Sequence, residues 1–149
     1  MRIIVDSREH PQAIRGILAY FDRNGIEYEI RGLPTGDYMV EGHPERIIDR
    51  KQSLDELARN LLSKDRARFY REVRRAHAAG TQLIILCECG AKYRDTAVLK
   101  AWRSFYGKTD GRGLYEAILA AIMAYGVQFY FCDKRDTGRR IVELLKMED

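Results

Sequence analysis

The run Gln82–Cys87 (QLIILC) constrains this chain more than any other stretch. It has almost no polar–apolar alternation, so it describes a strand buried on both faces. A strand of that kind needs cover on each side, and the rest of the sequence supplies helices for it. Leu54, Leu57, Ala58, Leu61 and Leu62 recur at helical spacing, and Ser53 and Glu56 have the spacing of a capping box. Asp65 is placed to cap a second helix that runs to Ala79, with Gly80 past its end. Upstream, Arg2–Asp6 (RIIVD) reads as another buried strand, and Pro11–Asn24 as a helix stopped by Gly25. Glu27–Arg31 reads as a strand, and Asp37–Glu41 with Arg46–Lys51 as two strands joined near Gly42 and Pro44. Downstream come a helical stretch carrying Leu99, Trp102 and Phe105, a loop over Gly107–Gly113 and a helix over Leu114–Tyr125. A strand over Val127–Phe131 and a helix over Thr137–Met147 follow. This order predicts an α/β fold, with a central mixed sheet flanked by helices on both faces.

At 149 residues the chain has the length of one domain, taken as 1–149. Its 46% apolar and 32% charged residues exclude a disordered tail. No apolar run approaches the length of a membrane span, and the N-terminus lacks the pattern of a signal peptide. Three cysteines, Cys87, Cys89 and Cys132, are an odd number and point to free thiols in a reducing compartment. The expected location is therefore the cytoplasm, or the nucleoid if the source is prokaryotic. Cys87 and Cys89 lack the spacing of a zinc knuckle, and His10, His43 and His77 are scattered, so the thiols are expected as buried groups at a strand end. A net charge of +4 permits a nucleic-acid partner without requiring one.

Acidic residues stand at the ends of three expected strands. Asp6 closes the first, with Arg8 and Glu9 behind it; Asp37 follows Gly36; and Asp49-Arg50-Lys51 ends the hairpin partner. Two carboxylates from adjacent strands form an oxygen-rich site for a hard cation such as Mg²⁺, which can bridge a phosphate and acidify water. Lys51 lies two residues from Asp49, on the same face of an extended strand, where an ammonium can orient water or neutralise a phosphate. These are the parts of metal-assisted phosphodiester hydrolysis. A solvated strand end with a surface ion pair has the same spacing.

The strings DSRE (Asp6–Glu9), GDY (Gly36–Tyr38) and DRKQSLD (Asp49–Asp55), in that order, resemble the nuclease domain of the XPF family of structure-specific DNA endonucleases. That family's signature is Gly-Asp, a variable gap, Glu-Arg-Lys, three residues and Asp. Gly36-Asp37, Arg50-Lys51 and Asp55 match it here, and Arg68-Phe69-Tyr70, on a helix after the signature, resembles the family's Arg-aromatic helix. The resemblance covers nearly the whole chain and implies a restriction-endonuclease-like core. It also implies Mg²⁺-dependent cleavage of DNA, with Mn²⁺ as a substitute and branched or flapped DNA in repair or recombination as the substrate. Asp37 and Asp49 would hold the metal, Lys51 would act on the attacking water, and Asp6 and Glu9 would complete the acidic site. Arg8 and Arg50 would lie near a phosphate, and Asp55 would support the site or serve the helix dipole. Asp49 stands where the family usually has Glu and is one methylene shorter. The family's helix-hairpin-helix domain has no counterpart in the sequence, so the resemblance implies a stand-alone nuclease of prokaryotic or phage type.

Arg68, Arg71 and Arg75 fall near one helical face, opposite Phe69, Val73 and Ala76, and form a candidate stripe for a DNA backbone or an ordinary solvated face. The loop around Lys108 and Arg112 is a second candidate contact. The resemblance also implies homodimers through C-terminal helices; Ile118, Ile122, Ile141, Leu144 and Leu145 could cover the sheet or form that seam. The alternative to an enzyme is a catalytically weak or inactive DNA-binding module of the same fold. An unrelated phosphotransfer or RNA-processing enzyme ranks last, because no glycine-rich phosphate loop is present.

Overall fold

β-Branched and apolar residues dominate the runs that pair at the centre of the molecule. In the computed structural model, which describes residues 1–90, 97–104 and 110–147, six strands form one mixed sheet. They are β1 (Arg2–Asp6), β2 (Glu27–Arg31), β3 (Tyr38–Val40), β4 (His43–Lys51), β5 (Gln82–Glu88) and β6 (Gln128–Cys132). Their order across the sheet is β2-β1-β3-β4-β5-β6. β1 runs parallel to β2 and antiparallel to β3; β3 and β4 form the antiparallel hairpin; β4, β5 and β6 are parallel.

Among the described residues, five helices cover this sheet: α1 (Arg15–Arg23), α2 (Leu54–Leu62), α3 (Arg66–Ala78), α4 (Gly111–Tyr125) and α5 (Thr137–Lys146). The alternation of β5 divides the core between them. Leu83, Ile85 and Cys87 pack with Leu57 and Leu61 of α2, Phe69 and Val73 of α3, and Leu114 and Ile118 of α4. Ile84 and Leu86 point the other way, into a layer with Ile17 and Phe21 of α1 and Ile141 and Leu144 of α5. The strand expected to be buried on both faces is so buried, and helices lie on both faces. Ile118, Ile141 and Leu144 are fully buried and cover the sheet, whereas Ile122 is 38% exposed and Leu145 half-buried.

The caps show where residue spacing translated into structure. Ser53 Oγ accepts from the Glu56 N–H at 3.1 Å, and the Glu56 carboxylate accepts from the Gln52 N–H at 2.7 Å, one residue before the cap. Asp65 makes no capping hydrogen bond; Ser63 Oγ instead accepts from the Asp65 N–H. The first helix begins at Arg15, later than expected, because residues 11–14 form turns in which Ala13 and Ile14 donate to the His10 carbonyl. The expected helix around Leu99 is a 3₁₀ turn, Ala97–Ala101, and Phe105 lies outside the described residues. Its brevity follows from packing: the Gly111 N–H donates to the Trp102 carbonyl at 2.7 Å, which pins this segment against the start of α4. The expected loop extends too far, since Asp110 caps α4 through the Gly113 N–H, so Gly111, Arg112 and Gly113 are helical. Lys108 of that loop lies outside the described residues.

One glycine fixes the turn into the hairpin. Gly36 has φ +72°, and a Cβ there would lie 2.2 Å from Ile47 Cγ2 and 3.1 Å from the Ile48 carbonyl oxygen. Gly36→Ala therefore combines an unfavourable left-handed conformation with a clash against the strand that carries Asp49. It should lower stability by about 2–3 kcal/mol, read as a reduced urea midpoint with unchanged m-value.

Candidate active site

The carboxyl ends of β1 and β4 and the entry to β3 meet at one edge of the sheet. Asp37 sits just ahead of β3, and its backbone is held on both sides. Its N–H donates to the Ile48 carbonyl at 2.8 Å, and its carbonyl accepts from the Asp6 N–H at 2.8 Å. Its carboxylate accepts from the Arg50 N–H, also at 2.8 Å. Asp49 and Lys51, two residues apart on β4, leave the strand on the face covered by α2 and α3, beside Ile85 and Cys87 of β5. Lys51 Nζ lies 3.3 Å from Asp49 Oδ2 and 5.8 Å from the centre of the Phe69 ring. Asp37 and Asp49 are hydrogen-bonded to each other. The structure thus brings Asp37, Asp49 and Lys51 into one cleft of about 350 Å³, whose walls include Glu56, Glu72 and Arg8.

Electrostatics give each group a defined state. Burial, then the like charges of Asp49 and Glu9 and the hydrogen bond with Asp49, push the Asp37 carboxyl up to about 10, against the Arg50 N–H that favours its anion. Without a cation, the Asp37 carboxyl therefore holds its proton at neutral pH. Burial alone would lower the Lys51 ammonium, but Asp49, Glu56 and Asp37 outweigh it and raise its pKa. Lys51 is accordingly a fixed positive charge and no base. Glu72 is raised by burial and by Asp49, and its Oε1 accepts from the Gly36 N–H at 3.3 Å.

Asp6, Arg8, Glu9 and Arg50 line the same cleft, but their polar atoms are engaged with one another or with backbone. Arg50 points to the opposite face of β4, with its side chain 2% exposed. It donates to Glu9 Oε2 through Nη2 at 2.6 Å and to Glu88 Oε1 through Nη1 at 2.6 Å. The Thr137 hydroxyl at the start of α5 donates to Glu88 Oε2 at 2.6 Å. Arg50, expected beside a phosphate, is thus enclosed between two carboxylates because strand alternation turns it away from Asp49. Glu9 is spent on this pair. Asp6 is buried, accepting from the Leu33 N–H and from Arg8 Nε, both at 2.9 Å; it ties β1 to the loop before Gly36. Arg8 adds a bond to the Leu33 carbonyl and keeps its side chain 69% exposed at the cleft mouth. Asp55 accepts from the Ser104 hydroxyl. Arg68, Arg71 and Arg75 are exposed on α3, on the strip that includes Glu72. Spacing did not reveal Glu56, Glu72 or Glu88. Glu56 was legible only as a cap, and Glu72 only as a minority charge in a basic run.

The donor set suits a hard divalent cation. Among the described residues no three His, Cys, Asp or Glu side chains form a closed cage. Mg²⁺ does not need one; one or two carboxylates, waters and substrate phosphate oxygens satisfy it. The proton that Asp37 holds beside Asp49 marks the place where positive charge is in demand.

Mixed-sheet topology, helices on both faces and an acidic edge define the α/β fold of XPF nucleases, and solved structures of that fold resemble this one. XPF from Aeropyrum pernix is 24% identical, with a TM-score of 0.72, over 98% of this chain and 64% of that one. XPF from Aeropyrum pernix in complex with DNA is 23% identical, also at 0.72, over 97% and 63%. This chain therefore spans a little under two thirds of the length of those proteins. No curated protein sequence matches it. Residues 5–144 match the family model of the ERCC4 domain, and the chain belongs to that family.

Two substitutions should move stability in opposite directions. Arg50→Ala leaves Glu9 and Glu88 buried without a countercharge and should cost about 3–5 kcal/mol in denaturant unfolding. Asp37→Asn keeps an acceptor for the Arg50 N–H and adds a donor toward Asp49, so it should raise the melting temperature of the metal-free protein. Between the ordinary carboxylate range and about 10, the folded chain binds the Asp37 proton more tightly than the unfolded chain. Stability from this group therefore falls as pH rises through that window, by at most about 1.4 kcal/mol per pH unit. In EDTA, the melting temperature of Asp37→Asn should exceed that of wild type by more at pH 8 than at pH 6.

Proposed function

We propose that this chain is a divalent-metal-dependent endonuclease that hydrolyses phosphodiester bonds in DNA, with branched, flapped or otherwise structured DNA as its substrate. The observation that carries this reading is the hydrogen-bonded pair Asp37–Asp49 with the Lys51 ammonium 3.3 Å from Asp49. Membership of the ERCC4 domain family supports it, as does the likeness to an archaeal XPF solved with DNA. Asp37 and Asp49 would hold Mg²⁺, or Mn²⁺ in its place; the ion supplies Lewis-acid polarisation of the phosphate and acidifies water.

The chain's own residues have distinct tasks. Lys51 neutralises a non-bridging phosphate oxygen and orients the attacking water, and its raised pKa keeps it charged while it does so. Asp6 is a positioning residue that sets the loop before Asp37. Glu9, Arg50 and Glu88 hold the end of β4 from behind. Arg8 offers its exposed guanidinium to a phosphate at the cleft mouth. Arg68, Arg71 and Arg75 lie along the DNA backbone. Leu119, Ile122 and the 87%-exposed Met123 of α4 offer a second copy of the chain an apolar face. Light scattering of the purified protein tests that pairing: a dimer that Met123→Glu converts to monomer supports it, and a monomer at every concentration removes it.

The activity is tested with purified protein, Mg²⁺ and flapped, forked, four-way or plain duplex DNA. Cleavage should vanish in EDTA and return with Mg²⁺ or Mn²⁺. Asp37→Ala and Lys51→Ala should each lose about 10²–10³-fold or more in rate. Absence of cleavage on every substrate, or cleavage unchanged in Asp37→Ala, overturns the reading. Salt-sensitive DNA binding without cleavage would leave the inactive module in its place.

A further inference from the structure

A second polar groove adjoins the acidic cleft, between α2 and α3. It encloses about 460 Å³ and shares Gln52 and Glu56 with the cleft as a common wall. Its cations are Arg59 in the last turn of α2 and Arg68 in the first turn of α3. Neither forms an ion pair among the described residues. Asn60 lines the same groove, and its carboxamide oxygen is buried without a hydrogen-bond partner. A buried polar atom in that state favours a ligand or water that satisfies the group. A half-turn of the carboxamide exchanges its oxygen for N–H₂, a donor suited to a phosphate oxygen.

We propose that this groove is a subsite for one phosphodiester of the DNA strand that leaves the cleft, with Arg59 and Arg68 as its cations and Asn60 as its neutral donor. The assignment rests on the nuclease reading above and adds the path of the substrate to it. Glu56 and Asp65 also line the groove, so its charge is balanced. A balanced groove binds a free anion poorly. It binds a phosphate delivered on a chain already held at the cleft, where the effective concentration is high. The ligand is therefore a DNA phosphate, and free phosphate does not compete with it.

Fluorescence anisotropy of labelled forked DNA in EDTA, against salt concentration, reads this subsite without any cutting. Arg59→Gln and Arg68→Gln should each lower the slope of log Kobs against log salt by about 1, as the loss of a phosphate contact does. Asn60→Asp should weaken binding about tenfold at low salt, because it sets a carboxylate against the phosphate. Arg23→Gln, on the other face of the sheet, should leave the slope unchanged. A single neutral methylphosphonate walked along the strand should weaken wild-type binding at one position, and the double variant Arg59→Gln/Arg68→Gln should be indifferent to it there. Wild-type slopes in both single variants, full binding of the double variant, or competition by millimolar inorganic phosphate beyond that by chloride of the same ionic strength, overturn the proposal. If the slopes fall as expected in a chain that cuts no DNA in Mg²⁺, the subsite stands and the nuclease reading falls. If wild-type protein gives no anisotropy change with DNA in EDTA, the subsite falls, and the nuclease reading is judged by cleavage in Mg²⁺.

Discussion

Side chains on an extended strand leave it on alternate faces, and the whole site depends on how β4 uses that rule. Asp49, Arg50 and Lys51 are three consecutive charges at the inner end of a buried strand. Alternation sends Asp49 and Lys51 toward α2 and α3, where they open into a cleft. It sends Arg50 toward α1 and α5, where nothing but a closed ion-pair network makes its burial tolerable. Glu9 and Glu88 provide that network, and Thr137 extends it to the start of α5. One face of the strand is thus kept for chemistry while the other anchors it.

The anchoring explains why two carboxyl groups stay side by side against their repulsion. Asp37 is held through its N–H, its carbonyl and its carboxylate, by Ile48, Asp6 and Arg50 respectively. Asp6 is in turn fixed by Leu33 and Arg8. No small shift of the backbone separates Asp37 from Asp49, so the unfavourable charge is relieved by a proton or a cation. Glu72, reaching from α3 to the Gly36 N–H, adds a third acidic group to the same edge and joins that helix to the turn. Local stability is given up here in the way functional sites commonly show, and the two apolar layers on either side of the sheet offset it.

Much of this architecture was legible in the residue pattern. The doubly buried β5, the capped α2 and the buried face of α3 each follow from a single periodicity or spacing, and the Asp37/Asp49/Lys51 set from spacing together with the family resemblance. Boundaries failed where packing overrode local preference. The segment around Leu99 carries apolar residues at helical spacing, yet it closes as a short 3₁₀ turn against Gly111. Asp6, Glu9 and Arg50 were marked by resemblance as site residues, and their placement proved to be more particular. Asp6 binds backbone, and Glu9 and Arg50 bind each other. Nothing in the spacing of a sequence distinguishes a carboxylate that faces a cleft from one that faces a guanidinium.

Periodicity is a local property, so the order of strands and helices, the two buried faces of β5 and the common side of Asp49 and Lys51 were determined by the amino-acid sequence alone. The meeting of Glu56 and Glu72 with that pair, and the closure of Glu9 and Glu88 around Arg50, were decided only by tertiary structure. These contacts join residues up to 41 positions apart in the chain. Their formation depends on the angles at which α2 and α3 pack on the sheet and on the register that sets β4 beside β5, and no local pattern encodes either.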